Sequence, residues 1–298
     1  MSFSAQTKRE LCRTSAGQKG LAQAEAYGVL LYSNSFSPSV IRIITECEAF
    51  AQWLPTLFYK AFKLRFDQQP EQGAVGKQTF LLTQPEKIET VCEAYGLDLS
   101  GQVAHHVNFA ALEDEARRIA FFRGAFLAGG SVTAPEKRYH LELTTPHFNV
   151  SREVGTLMQE AGFEPKSTTR KSNYILYFKQ SEAIEDFLTA IGAPVAAMEI
   201  MNAKLEKNLR SSVNRRVNCD AANLDKTVDA SMAQAEAIRR LEKTVGLDSL
   251  PDKLQEAARL RLEHPELALT QLAALCDPPV TKSCLNHRLR KLVALSQP

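Results

Sequence analysis

Apolar positions along this chain recur with two periods, and the boundaries between them predict most of its elements. A helical spacing is expected from Ser4 to Thr14, with Ser4 as the N-cap, and again from about Gly20 to Tyr32. Ser39–Thr45 is β-branched with polar residues interleaved, which predicts a strand. A helix follows over Glu48–Tyr59, with Trp53 and Leu57 on one face. Phe62–Phe66 alternates apolar and basic, the pattern of a strand with one wet face, and is expected to pair with Gly76–Leu82. Pro85–Tyr95 opens on proline and stops before Gly96, good helix limits.

The same order then repeats. A helix over Glu113–Ala128 leads to a strand at Arg138–Thr144, a helix at Asn149–Glu160, a hairpin from Lys166 to Lys179 turning at Lys171-Ser172-Asn173, and a helix at Ser181–Ile191. Within the first helix of each copy lies an apolar run rich in small residues. One contains Ala26-Tyr27-Gly28-Val29-Leu30-Leu31 and the other Arg123-Gly124-Ala125-Phe126-Leu127-Ala128-Gly129-Gly130. A glycine inside a helix costs about 1 kcal/mol relative to alanine, a loss usually offset by close helix–helix approach. Gly28 and Gly124 lie 96 residues apart, so two copies of one unit form a pseudo-two-fold domain rather than a solenoid. Gly129-Gly130 is expected to stop the second helix in the left-handed C′ conformation.

Beyond Ile191 the pattern becomes wholly helical. Ala203–Val217 is dense in cations, with Lys204, Lys207, Arg210, Arg215 and Arg216 against Glu206 alone. A second long helix is expected over Asp225–Val245, ending at Gly246. Leu254–Leu262 is a short amphipathic helix, and Leu269–Leu275 another, with Thr270 as its N-cap. The last helix, Lys282–Leu292, is capped by Thr281. Leu272 and Leu275 are expected to pack on Leu285, Leu289 and Leu292, which gives helix–turn–helix organisation. The opposite face carries Lys282, Ser283, Asn286, His287 and Arg290, side chains suited to base edges in a major groove. Residues at the start of such a helix reach bases first, so Lys282, Ser283, Asn286 and His287 are the base-contact candidates. Arg288, Arg290 and Lys291 are expected on phosphates. A structural three-helix cap accounts for the same pattern when it stands alone.

Composition narrows the rest. At 298 residues, 44% hydrophobic and 23% charged, the chain has room for two or three globular domains. Its net charge is +2, so nucleic-acid binding has to rest on local patches. No apolar run reaches membrane-spanning length and the N-terminus lacks a signal-peptide core, which points to the cytoplasm and no membrane partner. The six cysteines form no C-x-x-C pair and are expected to be free and buried. Cys276, Cys284 and His287 lack a fourth zinc ligand at usable spacing. His105 and His106 point apart on any regular element and are expected to be a solvated pair rather than a metal site. No cofactor is implied.

Gly124-Ala125-Phe126-Leu127-Ala128-Gly129-Gly130-Ser131 resembles the second half of the LAGLIDADG homing-endonuclease motif and the strand after it. Phe122–Ser131 is also similar to the WhiA family of sporulation regulators. So are Pro278-Pro279-Val280-Thr281-Lys282-Ser283 and Asn286-His287-Arg288-Leu289-Arg290-Lys291, and this resemblance spans nearly the whole chain. The tail is also like the promoter-reading region of sigma factors. The implied fold is α+β: a pseudo-two-fold LAGLIDADG-like saddle with antiparallel sheets, then an all-α helix–turn–helix domain. Limits follow at 1–195 (repeats about 20–96 and 116–191), a basic helical bridge at 196–246, and the reader at 247–298. Active LAGLIDADG proteins end each motif on a metal-holding acid; the matching positions here are Ser33 and Gly129, and neither is a carboxylate. The resemblance therefore implies duplex DNA binding and transcription control without cleavage. It links that control to cell division, chromosome segregation or sporulation, at the nucleoid, with RNA polymerase, a sigma factor or another regulator as partner. Lys166, Arg170 and Lys171 on the hairpin, and the bridge cations, would contact DNA backbone. A solvated hairpin edge and a solvated linker helix explain the same residues.

Overall fold

The computed structural model describes residues 1–14, 17–71, 73–74, 76–97 and 105–297, in two compact units, Met1–Lys207 and Asn208–Pro298. In the first unit α1 (Phe3–Leu11) precedes α2 (Lys19–Leu31), β1 (Ser35–Phe36), β2 (Ile41–Thr45), α3 (Glu48–Phe62), β3 (Gln78–Leu82) and α4 (Pro85–Glu93). The second copy comprises α5 (Glu115–Gly129), β4 (Gly130–Val132), β5 (Leu141–Thr145), α6 (Phe148–Glu160), β6 (Lys166–Arg170), β7 (Asn173–Phe178) and α7 (Ser181–Ile191). Helix α8 (Pro194–Thr244) runs on into the second unit, where α9 (Asp252–Glu263), α10 (Leu269–Ala274) and α11 (Lys282–Leu295) complete the chain.

The two copies are joined at α2 and α5. Both helices are buried nearly all round: Ala26, Tyr27, Val29 and Leu30 on one, Phe121, Phe122, Ala125 and Phe126 on the other, are 0% exposed. All-round burial explains why neither reads as cleanly amphipathic. The glycines permit the approach. A Cβ on Gly28 would lie 2.1 Å from the Phe121 carbonyl oxygen, and one on Gly124 would lie 1.9 Å from the Glu25 carbonyl oxygen. The contact is reciprocal: Gly28 also faces the Ala125 nitrogen, and Gly124 the Val29 nitrogen. These neighbours keep the 96-residue offset, so the pseudo-two-fold axis passes through this seam.

Each copy wraps an antiparallel sheet around the seam, ordered β1-β2-β3 in the first and β4-β5-β7-β6 in the second. Strands β2 and β5 each end on a threonine that starts the next helix. Thr45 Oγ1 accepts the Cys47 N–H (3.1 Å), and Thr145 Oγ1 accepts the His147 N–H (3.3 Å). The hairpin turns at Lys171 and Ser172, both at positive φ (48° and 64°), as a two-residue turn with this twist requires.

Several sequence expectations are corrected. Phe62–Phe66 is no strand: Phe62 closes α3, Lys63 caps it in the left-handed region at φ 61°, and β3 pairs with β2 instead. The following segment meets β3 through an isolated bridge, Gln68 to Leu81. The N-cap of α1 is Ser2, whose hydroxyl accepts the Ala5 N–H (3.2 Å), rather than Ser4. Gly129 ends α5 in helical conformation and Gly130 is extended (φ −88°, ψ 149°), so neither is a left-handed cap. Their need is space, since a Cβ on Gly130 would meet the Phe126 ring at 2.4 Å. The two helices expected between 203 and 245 are one, α8.

The second unit has its own core of Ile238, Leu241, Leu254, Ala257, Leu272, Leu285, Leu289 and Leu292. Leu275 is 49% exposed; Ala273 on α10 and Cys276 in the turn after it are buried instead. Nor does Thr270 cap α10: the Gln271 Oε1 accepts the Ala268 N–H at its start (3.2 Å). Buried Arg261 ties this unit together, donating from Nη1 to the Ser231 hydroxyl (3.2 Å) and the Leu267 carbonyl (2.9 Å). Among the described residues no helix is long and apolar enough to cross a membrane.

Candidate nucleic-acid interface

Helix α11 begins on Thr281, whose Oγ1 accepts the Cys284 N–H (3.2 Å). Leu285, Leu289 and Leu292, at i, i+4 and i+7, are 0% exposed and fasten one face to the core. That anchoring directs Lys282, Ser283, His287, Arg290 and Lys291 to solvent, with Asn286 half-buried beside them. Five of these six are hydrogen-bonding or cationic groups within the first nine residues of one helix, the part that reaches base edges when a recognition helix docks. Arg288 differs from its expectation as a phosphate contact. Its Nη1 donates to Glu256 Oε2 on α9 (2.9 Å), while Glu256 Oε1 accepts the Asp277 N–H of the turn (2.7 Å). Arg288 thus holds α11 and the turn onto α9. No local sequence signal marks this pair, because its members are 32 residues apart.

The saddle cations are mostly engaged within their own unit. On the second sheet, Arg170 Nη2 donates to Glu142 Oε1 (2.8 Å), and His140 Nε2 lies 3.1 Å from Glu142 Oε2. Burial alone would raise the Glu142 carboxyl, but the His140 and Arg170 hydrogen bonds outweigh it and hold the group below its ordinary range. Lys179 stacks over the Tyr177 ring at 5.1 Å. Lys166 and Lys171 are exposed. On α8, Lys204 pairs with Glu182, and Lys207 donates to the Pro135 carbonyl while its ammonium sits 4.5 Å from the centre of the Tyr139 ring. Arg210, Arg215 and Arg216 are exposed, with Arg215 Nε donating to the Ser211 carbonyl (3.2 Å).

Neither end of the α2–α5 seam carries a carboxylate at the matching position. Ser33 is 4% exposed, and its hydroxyl donates to the carbonyls of Leu30 (2.7 Å) and Ser35 (3.3 Å). Any side chain at Gly129 would meet the Thr144 carbonyl oxygen at 2.5 Å and the Tyr32 ring at 2.7 Å. A carboxylate is therefore missing from both positions, and at Gly129 the backbone leaves no room for one. Glu46 and Glu48 are side chains of the β2–α3 corner, and among the described residues no group of three or more His, Cys, Asp or Glu could hold a metal ion.

Of the two histidines His106 is exposed, as expected of a solvated pair, whereas His105 is half-buried. His106 Nδ1 sits 2.7 Å from Glu153 Oε1, and the His105 ring lies 5.6 Å from the Phe36 ring and 4.1 Å from that of His147. Burial, helped by His147 and His106, pushes His105 down to about 4. Cys92 and Cys276 are buried as expected, whereas Cys219 and Cys284 are exposed. A buried polar cluster at the seam escaped sequence reading altogether. Glu25, 0% exposed, accepts from Trp53 Nε1 (2.8 Å) and from Arg123 Nη1 (3.3 Å), while Arg123 Nε donates to the Ile191 carbonyl (2.7 Å).

Residues 118–210 match the model of the WhiA LAGLIDADG-like domain, and residues 213–296 that of the WhiA C-terminal HTH domain. The probable cell division protein WhiA of Clostridium perfringens is 35% identical over 309 residues, an alignment covering 100% of this chain and 98% of its own. Its counterpart in Staphylococcus haemolyticus is 36% identical over 304 residues, covering 99% and 96%. The crystal structure of full-length WhiA from Thermotoga maritima superposes with a TM-score of 0.62 at 23% identity, over 99% of this chain and 98% of that one, and shares its fold. A duplicated saddle without its acids, a helix–turn–helix tail and end-to-end similarity to these relatives place the chain in the WhiA family.

Proposed function

We propose that this chain is a sequence-specific, double-stranded DNA-binding transcriptional regulator without nuclease activity. The carrying observation is α11, which buries three leucines and leaves Lys282, Ser283, Asn286, His287 and Arg290 on one outward face. In this reading Lys282, Ser283, Asn286 and His287 contact bases, while Arg290 and Lys291 contact phosphates. Arg210, Arg215 and Arg216 add backbone affinity of the salt-dependent kind. The relatives' names support a role in cell division; chromosome segregation or sporulation, at the nucleoid, is the setting the resemblance implies, with RNA polymerase, a sigma factor or another regulator as partner. The seam ends at Ser33 and Gly129 argue against cleavage. For the saddle itself a protein partner is the second reading, favoured because Arg170, Lys204 and Lys207 already have partners within their own unit.

The test uses duplexes enriched by the full chain from random sequence. Asn286→Ala combined with Arg290→Ala should lose about 1–3 kcal/mol for each direct base contact and leave circular dichroism unchanged. A double variant that binds as tightly as the parent, or magnesium-dependent nicking of plasmid that survives purification, overturns the reading.

A further inference from the structure

Buried Leu285, Leu289 and Leu292 fix how α11 is rotated, and at about 100° per residue the rest of its surface follows. Ser283, His287 and Arg290 stand opposite the leucines; Asn286 lies on one flank, Arg288 and Lys291 on the other. When a recognition helix lies in a major groove, its flanks run beside the phosphates. Arg288, one turn before Lys291, therefore holds a phosphate-facing place. It is nonetheless withheld. Lys291 is exposed, whereas the Arg288 side chain is 13% exposed and its Nη1 donates to Glu256 Oε2 on α9 (2.9 Å).

Glu256 does more than neutralise one cation. Its Oε1 accepts the Asp277 N–H (2.7 Å), so one carboxylate grips both α11 and the turn that leads into it. Hydrogen bonds to a charged acceptor are about twice as strong as neutral ones. A second tie, from the Val280 N–H to the Ala273 carbonyl (3.0 Å), closes the turn onto α10. Ala257 and Ala258, the next residues on α9, lie in the same core as Leu285 and Leu289. The start and the rotation of α11 are thus set from α9. Base contacts need both, since a side chain meets a base edge from one height and one angle. A phosphate contact is less exacting and adds equally to every duplex. A cation freed for phosphates raises competing sequences along with the correct one. We propose that Glu256 is a positioning residue that sets sequence discrimination, by holding α11 at its reading rotation and by keeping Arg288 off the DNA backbone. This role presupposes the DNA-binding function proposed above.

Fluorescence anisotropy on the full chain tests it, with the duplex enriched by the parent and a random duplex of equal length, from about 50 mM to about 200 mM salt. In Glu256→Gln the amide has one acceptor oxygen where the carboxylate has two. This variant should bind the random duplex more tightly than the parent does. It should also lose an additional factor of about 3.5 across the salt range, a slope steeper by about 0.9. Its preference for the enriched duplex should fall at least about tenfold. Adding Arg288→Met should abolish the gain on random DNA without restoring the preference. Glu263→Gln, the same charge change at an exposed acid of α9, should alter neither. Loss of stability alone would weaken both duplexes in proportion. That result, an unchanged preference, a gain that survives Arg288→Met, or a Glu263→Gln variant that matches Glu256→Gln overturns the role of Glu256. Asn286→Ala with Arg290→Ala separates the two levels. If that pair weakens binding while Glu256→Gln changes nothing, this role alone fails; if neither changes anything, DNA reading fails with it.

Discussion

Replacing Gly124 with alanine tests the seam directly. The new methyl would stand 1.9 Å from the Glu25 carbonyl oxygen and 3.1 Å from the Val29 nitrogen. Ordinary contact begins near 3.4 Å, so α2 and α5 would have to separate by about 1.5 Å. The obstacle is backbone, which cannot rotate aside as a side chain can. Overpacking of a tight core costs about 1–3 kcal/mol, with backbone clashes at the upper end. Alanine returns about 1 kcal/mol of helix propensity. The net expectation is a loss of about 2 kcal/mol, or about 1 M in the urea midpoint at a slope near 2 kcal/mol/M. Trp53 makes the assay specific. It is the chain's single tryptophan, and its indole N–H donates to Glu25 on α2 at 2.8 Å, so its fluorescence follows the first unit alone. Gly155→Ala is the control: an added methyl there meets the Leu176 side chain at 3.4 Å and 3.9 Å, ordinary contact, and should be neutral or stabilise by up to about 1 kcal/mol. If Gly124→Ala were as stable as the parent while Gly155→Ala behaved as stated, the close packing of the two helices would be refuted.

Two further outcomes follow from buried groups. Leu289→Ala should cost about 2–5 kcal/mol in the second unit; circular dichroism should show an earlier helical transition while the Trp53 transition stays in place, and a shift in both signals would contradict separate cores. Burial raises the folded-state pKa of Glu25, against the opposing pull of Trp53 and Arg123. A raised carboxyl contributes most stability below its unfolded value near 4.5 and loses that contribution as pH rises through the folded value. Glu25→Gln should therefore flatten that decline relative to the parent in Trp53-monitored urea titrations, and an unchanged difference between the two across pH 4 to 8 would refute it.

The parts of the fold legible in sequence were those written in local spacing. Glycine at positive φ marks the ends of α4, α6 and α7, at Gly96, Gly162 and Gly192, and the turn at Lys171 and Ser172 separates β6 from β7. On α11, the i, i+4, i+7 leucines and the Thr281 cap are equally local, which is why that helix and its outward face could be read directly. The unity of α8 was available too: no glycine or proline interrupts the chain between Pro194 and Gly246, but the run of asparagines reads as a break. Phe62–Phe66 misleads because alternation over five residues cannot distinguish a strand from a helix end followed by a turn. What lay beyond reach was long-range pairing. Arg288 with Glu256, Arg170 with Glu142, and Glu25 with Trp53 and Arg123 join residues far apart in sequence, and a cation's availability for DNA depends on such partners rather than on its neighbours.

The reciprocal seating of Gly28 and Gly124 makes each half of the saddle the mould of the other. A larger residue on either side collides with main chain belonging to the opposite copy, so neither half can absorb such a change by adjusting itself. The rims are free of this constraint, and there, among the described residues, the halves already differ, three strands against four. A duplicated module held this way keeps its shape whatever side chains stand at its outer ends, because what binds the copies together is fit at the seam.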